Sequence, residues 1–189
     1  MEQRKLHNSA VAIRRQQQIE QCLYENLRHT DLHSISISDL CRQVGISRKA
    51  FYHYYPDKKA CLTALIDHAV QESMLILTRA DNVSPMGNTI ALLEYWKEQK
   101  ELLDILLNNN MVHLLAIRNM NYILREERTL LDRVSTPEIQ SDTDILSCYM
   151  ACLLALVLQW HHRNFSDPTE EIAKKMQRLL HVPMIAPGE

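Results

Sequence analysis

Four side chains in six residues, Arg48, Lys49, Tyr52 and His53, could together recognise a polyanion. Arg and Lys donate hydrogen bonds to guanine edges or phosphate oxygens, and a tyrosine hydroxyl donates to phosphate. If residues 48–55 are helical, Phe51 and Tyr55 project within about 40° of each other, and the four polar side chains fall on the other side. A short helix with rings turned inward and cations turned outward has no evident packing reason for its cationic face.

The flanking residues are those needed to hold such a helix. Ser36 is suited to cap a first short helix, with Asp39 three residues on as its capping-box partner. Leu40 and Val44 share a face. Gly45 can enter the left-handed region without steric cost and end that helix. Ser47 can cap the second helix. Pro56 stops it, and Asp57 can cap a third that begins near Lys58. Helix, tight turn and helix is the layout in which the second helix enters the DNA major groove.

Residues 19–62 resemble the DNA-binding domain of the TetR family of bacterial transcriptional regulators. Ile19, Cys22, Leu23 and Leu27 fall where that family places the apolar stripe of its first helix. Ser36-Ile-Ser-Asp-Leu-Cys is similar to its Thr-Val-x-x-Ile-Ala segment, Gly45-Ile-Ser to its Gly-Val-Ser turn, and Phe51-Tyr-His-Tyr-Tyr with Pro56-Asp-Lys to its Leu-Tyr-x-x-Phe and following lysine. Cys41 stands where the family usually has Ala, Asp31 where a glycine often ends the first helix, and Lys49 where a small residue is common. The candidate DNA-contacting set is Ser36, Ser38, Ser47, Arg48, Lys49, Ala50, Tyr52, His53, Tyr54 and Lys58. Within it Lys49 and His53 are expected on bases, Tyr52 and Lys58 on phosphates.

The charge distribution points the same way. The chain has 189 residues and a formal charge of −2. Residues 1–60 hold ten Lys/Arg against six Asp/Glu, a local +4, so the remainder carries −6. A basic end on an acidic body favours nucleic acid at that end alone. Only three glycines, Gly45, Gly87 and Gly188, are present, and they are scattered, so no glycine-rich phosphate cradle exists. No His-Glu-x-x-His motif or nucleophile elbow appears, and neither an enzyme nor a resident cofactor or metal is expected. Five cysteines at irregular spacings make no disulfide framework, and with no secretory leader pattern a reduced, cytoplasmic setting is expected. Ile145 to Trp160 is apolar, but shorter than the roughly 20 residues that span a bilayer, so a buried helix and no membrane role are expected.

The expected fold class is all-α: an N-terminal three-helix helix-turn-helix domain over 1–57 and a helical ligand-binding and dimerisation domain over 58–189. Helices are expected from about Ser9 to Arg28, from Lys58 to about Arg79, from Ser84-Pro85 to Asn108, from Met111 to about Arg128, from Thr136-Pro137 or Asp142 to about Asn164, and from Asp167-Pro-Thr-Glu170 onward. Pairing of Glu170 with Lys174 and of Glu171 with Lys175 is expected on the last. The helix around 145–160 lacks a polar face, so both its sides need cover. The last two helices are therefore expected to pack against a second copy, and a twofold dimer would present two recognition helices about 34–36 Å apart to a palindromic operator.

Trp96, His113, Tyr122, Met150 and Trp160 are candidates for lining an effector pocket, though aromatic and Met positions on helices equally suit plain core. Cys148 and Cys152, four apart, suit core or dimer packing, with a redox or metal pair as the alternative. The expected function is a homodimeric DNA-binding repressor released by a small molecule. Two rivals are a co-activator or adaptor of the same shape that works through a protein partner, and a metal- or redox-sensing regulator that uses Cys148 and Cys152.

Overall fold

The computed structural model describes residues 2–79, 84–131 and 143–180. Among the described residues every regular element is a helix: α1 (Glu2–Leu27), α2 (Ile37–Val44), α3 (Arg48–Tyr54), α4 (Lys58–Arg79), α5 (Pro85–Glu98), α6 (Lys100–Asn108), α7 (His113–Leu131), α8 (Thr143–His162) and α9 (Thr169–Leu180). The chain forms two compact units. The first is Met1–Ala69 with Asp104–Leu114, and the second is Val70–Leu103 with Leu115–Glu189.

In the first unit α1 packs on α2, and α2 on α3. The stripe Ile19, Leu23 and Leu27 is buried, as are Leu40 and Cys41 from α2, Phe51 from α3 and Leu62 and Ile66 from α4. The boundaries follow local chemistry. Ser36 Oγ accepts from the Ser38 amide, and Ser47 Oγ from the Ala50 amide. Asp39 does not complete a capping box; its carboxylate is taken by Arg42 one turn on. Gly45 ends α2 at φ 71° and ψ 40°.

A Cβ built on Gly45 would meet nothing within 4 Å, so backbone strain alone would oppose a side chain there. Gly45→Ala is expected to cost about 1–2 kcal/mol, the penalty of holding an L-residue in the left-handed region. For a chain of this size that lowers Tm by roughly 2–8 °C, which differential scanning calorimetry would register.

In the second unit α5 packs on α8 and α9, and α8 on α9. Leu92, Leu93 and Trp96 from α5, Leu153, Val157 and Trp160 from α8, and Ile172 and Met176 from α9 are buried there. Ser84 Oγ accepts from the Gly87 amide ahead of Pro85, the expected cap-plus-proline start.

Several boundaries differ from the sequence reading. The expected helix over 84–108 is two, broken at Gln99, whose amide turns back to Tyr95 and Lys97 carbonyls. No glycine or proline marks that break. Asp167 does not cap α9; its carboxylate accepts from Arg163 at 2.8 Å. On α9 the ion pair observed is Lys174 with Glu171, three apart at 2.8 Å, rather than either pair four apart. Thr136-Pro137 and the tail from His181 lie outside the described residues.

Helix α8 is also longer than the apolar run suggested. At 20 residues it, like the Lys58–Leu77 part of α4, is long and apolar enough to cross a membrane on composition alone. Length therefore does not separate the two readings. Leu146, Tyr149, Met150, Leu153, Val157 and Trp160 are buried, so one side of α8 is seated in the core of the second unit.

Candidate nucleic-acid interface

Arg48, Lys49, Tyr52 and His53 are all exposed on α3, Tyr52 at 46% of its surface. The helix presents them because its other side is fixed. Phe51 is fully buried, with ring centroids 5.7 Å from Tyr52 and 6.1 Å from Tyr55. Arg48 Nη2 donates to the Tyr52 hydroxyl at 3.3 Å, and the guanidinium lies 5.9 Å from the Tyr52 ring centroid. The two outward groups are thereby held side by side. His53 stacks edge-on against Tyr54 at 5.3 Å. Ser36, Ser38 and Ser47 are exposed at the starts of α2 and α3, while Ala50 and Tyr54 are half-buried. The cap serines already accept helix amides through Oγ, which leaves each hydroxyl proton available to an outside acceptor.

The inner end of α3 is tied to α1 by a buried polar contact that the sequence does not announce. Glu20 is buried, and the Tyr55 hydroxyl donates to its carboxylate. His68 Nδ1 on α4 lies 3.7 Å from the other carboxylate oxygen. Burial and this carboxylate both push the Tyr55 phenol above its ordinary range, so it stays a donor throughout the physiological pH range. Glu20 and Tyr55 are 35 residues apart, and no local pattern marks a glutamate on α1 as interior.

Lys58 departs from its expected role. Its ammonium donates to the carbonyls of Leu32 at 2.7 Å, of His33 at 3.1 Å and of Ile35. A lysine has three donors, and all three are engaged in holding the turn between α1 and α2 rather than facing outward with Lys49. The same turn is held from two further directions. Asp31 Oδ1 accepts from the Ser34 amide at 2.8 Å, which keeps the Asp31 carboxyl below the usual carboxylate range. Asn109 Oδ1, at the corner of α6 and α7, accepts from the Leu32 amide at 2.6 Å.

Lys58→Met keeps the aliphatic stem and removes the donors. It is expected to cost on the order of 2 kcal/mol, the worth of charge-assisted hydrogen bonds to partly buried carbonyls, or roughly 4–8 °C in Tm. A residue that only touched phosphate would leave Tm unchanged and alter the salt dependence of DNA binding, so thermal melting of the variant separates the two roles.

The five body residues do not form one set. Trp96, Met150 and Trp160 are buried in the second unit and Tyr122 is half-buried, but His113 is exposed and falls in the first unit. Trp160 has a sufficient structural explanation: its ring N–H donates to the Asp167 carbonyl at 3.0 Å, Phe165 packs edge-on at 4.9 Å, and Lys97 Nζ lies 5.4 Å from the ring centroid. Two residues the sequence reading missed are more telling. Asn88 on α5 and Asn119 on α7 are buried in the second unit, and their side-chain carbonyl oxygens accept no hydrogen bond. A buried unsatisfied acceptor costs about 1–3 kcal/mol. Cys148 and Cys152 are exposed on α8, which rules out core packing within one chain. Among the described residues no cluster of three His, Cys, Asp or Glu could hold a metal.

Known proteins resemble this chain at two scales. The profile of the family described as "Bacterial regulatory proteins, tetR family" matches residues 25–65. The HTH-type transcriptional regulator EthR of Mycobacterium tuberculosis is 44% identical over 57 residues, which is 30% of this chain and 26% of that protein. EthR of Mycolicibacterium smegmatis is 46% identical over 39 residues, 21% of this chain and 18% of that protein. The matched part thus spans about a quarter or less of the length of these curated relatives. Solved structures extend the likeness to the fold of nearly the whole chain. A tetR-family regulator from Streptomyces coelicolor aligns with a TM-score of 0.58 at 15% identity, covering 89% of this chain and 81% of that one. A TetR regulator from Streptococcus agalactiae aligns at 0.57 and 14% identity, covering 93% and 98%. The fatty acid degradation regulator FadR from Bacillus halodurans aligns at 0.58 and 16% identity, covering 90% and 96%.

Proposed function

We propose that the chain is a transcriptional regulator of the TetR family, whose profile its helix-turn-helix segment matches over residues 25–65, and that it acts as a homodimeric repressor released from a palindromic operator by a small molecule. The observation that carries the DNA-binding part is the exposed Arg48-Lys49-Tyr52-His53 face of α3, held outward by the buried Phe51. Lys49 and His53 read bases and Tyr52 binds phosphate, with the cap hydroxyls of Ser36 and Ser47 adding backbone contacts. Residues 1–57 are the DNA-binding domain and 58–189 the regulatory and dimerisation domain, acting in the cytoplasm where the DNA lies.

Dimerisation is supported by α8. One side of it is core, while Ile145, Cys148, Ala151, Cys152 and Ala155 on the other are exposed in the single chain. Apolar surface on both sides of a helix requires a second cover. Effector binding is supported by the orphan oxygens of Asn88 and Asn119. They suit a molecule that is mostly apolar, to enter this core, and that carries N–H or O–H donors to meet them. Such a molecule releases DNA only if it binds the DNA-incompetent form better by a few kcal/mol.

A gel shift of the full chain against DNA flanking its own gene, across a salt series, tests the reading. Sequence-selective binding that weakens steeply with salt is expected. Binding that is absent, or indifferent to sequence, would overturn it.

A further inference from the structure

We propose that the outer face of α8 is a thiol–disulfide site between subunits, where Cys152 pairs with Cys152 of the partner subunit when a hydroperoxide is present. This rests on the homodimer proposed above. The five cysteines of the chain are sharply divided. Cys41 and Cys61 are buried, and Cys22 is half-buried with its thiol against Gln43 Oε1 at 3.3 Å. Burial pushes all three thiols up, Cys61 to about 12, so they remain protonated and inert. Cys148 and Cys152 are exposed. Oxidation is thereby directed to α8.

Cys148 and Cys152 cannot bridge each other. Residues four apart on a helix hold their Cβ atoms about 5–6 Å apart, whereas a disulfide needs about 3.5–4.5 Å. The second thiol must come from another chain. The exposed side of α8 runs from Asp144 to His162, and Cys152 lies near its middle, flanked by the small exposed residues Ala151 and Ala155. In a twofold interface a residue at the axis faces its own copy. Small side chains let helix axes approach to about 8 Å. With Cα atoms about 2.3 Å from each axis, the facing Cα atoms can come as near as ~3.4 Å, so the bridging range of about 4.4–6.8 Å is within reach. Cys148 is one turn, about 6 Å, along the axis. Where two copies cross antiparallel at Cys152 it lies roughly twice that from its counterpart, beyond bridging distance.

The chemistry balances without a metal. One Cys152 thiolate attacks the peroxide oxygen, giving a sulfenic acid and releasing an alcohol, or water from hydrogen peroxide. The thiol of the partner subunit's Cys152 then attacks that sulfur. An S–S bond forms, and the hydroxyl leaves with the thiol proton as water. Two thiols are oxidised and one peroxide is reduced. A covalent dimer does not dissociate on dilution, so oxidation removes the monomer–dimer step from DNA binding and strengthens it at low protein concentration.

The full-length chain is first sized by light scattering under reducing conditions, then treated with hydrogen peroxide and run on a non-reducing gel. A dimer that becomes a covalent dimer, reversible by dithiothreitol, is expected. Cys152→Ser should abolish the cross-link, Cys148→Ser should retain it, and both should remain dimers by light scattering. A monomer before oxidation would overturn the homodimer itself. A dimer that does not cross-link, one that loses the cross-link with Cys148→Ser instead, or one that carries zinc on these thiols by native mass spectrometry would overturn this site while leaving the homodimer standing.

Discussion

Replacing Lys49 and Tyr52 together with alanine is expected to lower operator affinity by roughly 10³-fold or more while leaving the fold intact. Both side chains are exposed on α3, so their removal opens no interior cavity, and the loss of the edge-on contact between Tyr52 and Phe51 costs about 1 kcal/mol. Each hydrogen bond to a base or phosphate is worth about 1–3 kcal/mol, and a twofold dimer forfeits each of them twice. The salt dependence should also become shallower, because each subunit loses the Lys49 charge that displaces counterions, whereas neutral Tyr52 leaves the slope unchanged. Fluorescence anisotropy with labelled DNA at several salt concentrations, beside a thermal melt, gives both numbers. Unchanged affinity at unchanged Tm would move the DNA-reading surface off α3. An adaptor working through a protein partner would keep its regulatory effect in cells carrying this variant.

Phe51→Ala should act by the opposite route. Phe51 is fully buried, with Tyr52 and Tyr55 packed around it. Truncating a buried phenylalanine costs about 3–5 kcal/mol, through lost transfer energy and the cavity left behind. That is a large share of a domain's total stability. The expected result is a reader that melts early and binds no DNA at about 37 °C, although Phe51 touches none. Phe51→Leu fills most of the space and should recover the larger part of the loss. Circular dichroism melts, with anisotropy measured cold and at physiological temperature, check this. If binding in the cold were lost while the melt stayed unchanged, the ring would be acting in recognition and not in packing.

The two variants reflect a division in what was legible. The exposed and buried sides of α3 can be read from a sequence because helical phase is a local property: about 100° per residue places Phe51 and Tyr55 together whatever surrounds them. The cap at Ser36, the stop at Gly45 and the starts at Ser47 and Ser84-Pro85 were readable for the same reason, since each satisfies amides within three residues. The break at Gln99 was not, because no residue there is barred from a helix. Asp39 and Asp167 had the right residue type for capping, but Arg42 and Arg163 lie within reach of their carboxylates and hold them.

By itself, then, the order of amino acids determined the helices, their ends and the cationic edge on one of them, since hydrogen bonds and phase within a few residues fix all three. Only folding in three dimensions decided which charged groups remain outside. Lys58, as basic as Lys49, is drawn onto three carbonyls 23 to 26 positions earlier, and Glu20 is covered because Tyr55 meets it from across the first unit. His113 stays outside while Asn88 and Asn119 are sealed in with unanswered oxygens. A side chain's partners across such separations depend on how helices pack, and packing sums over many weak interactions that no short stretch of sequence contains.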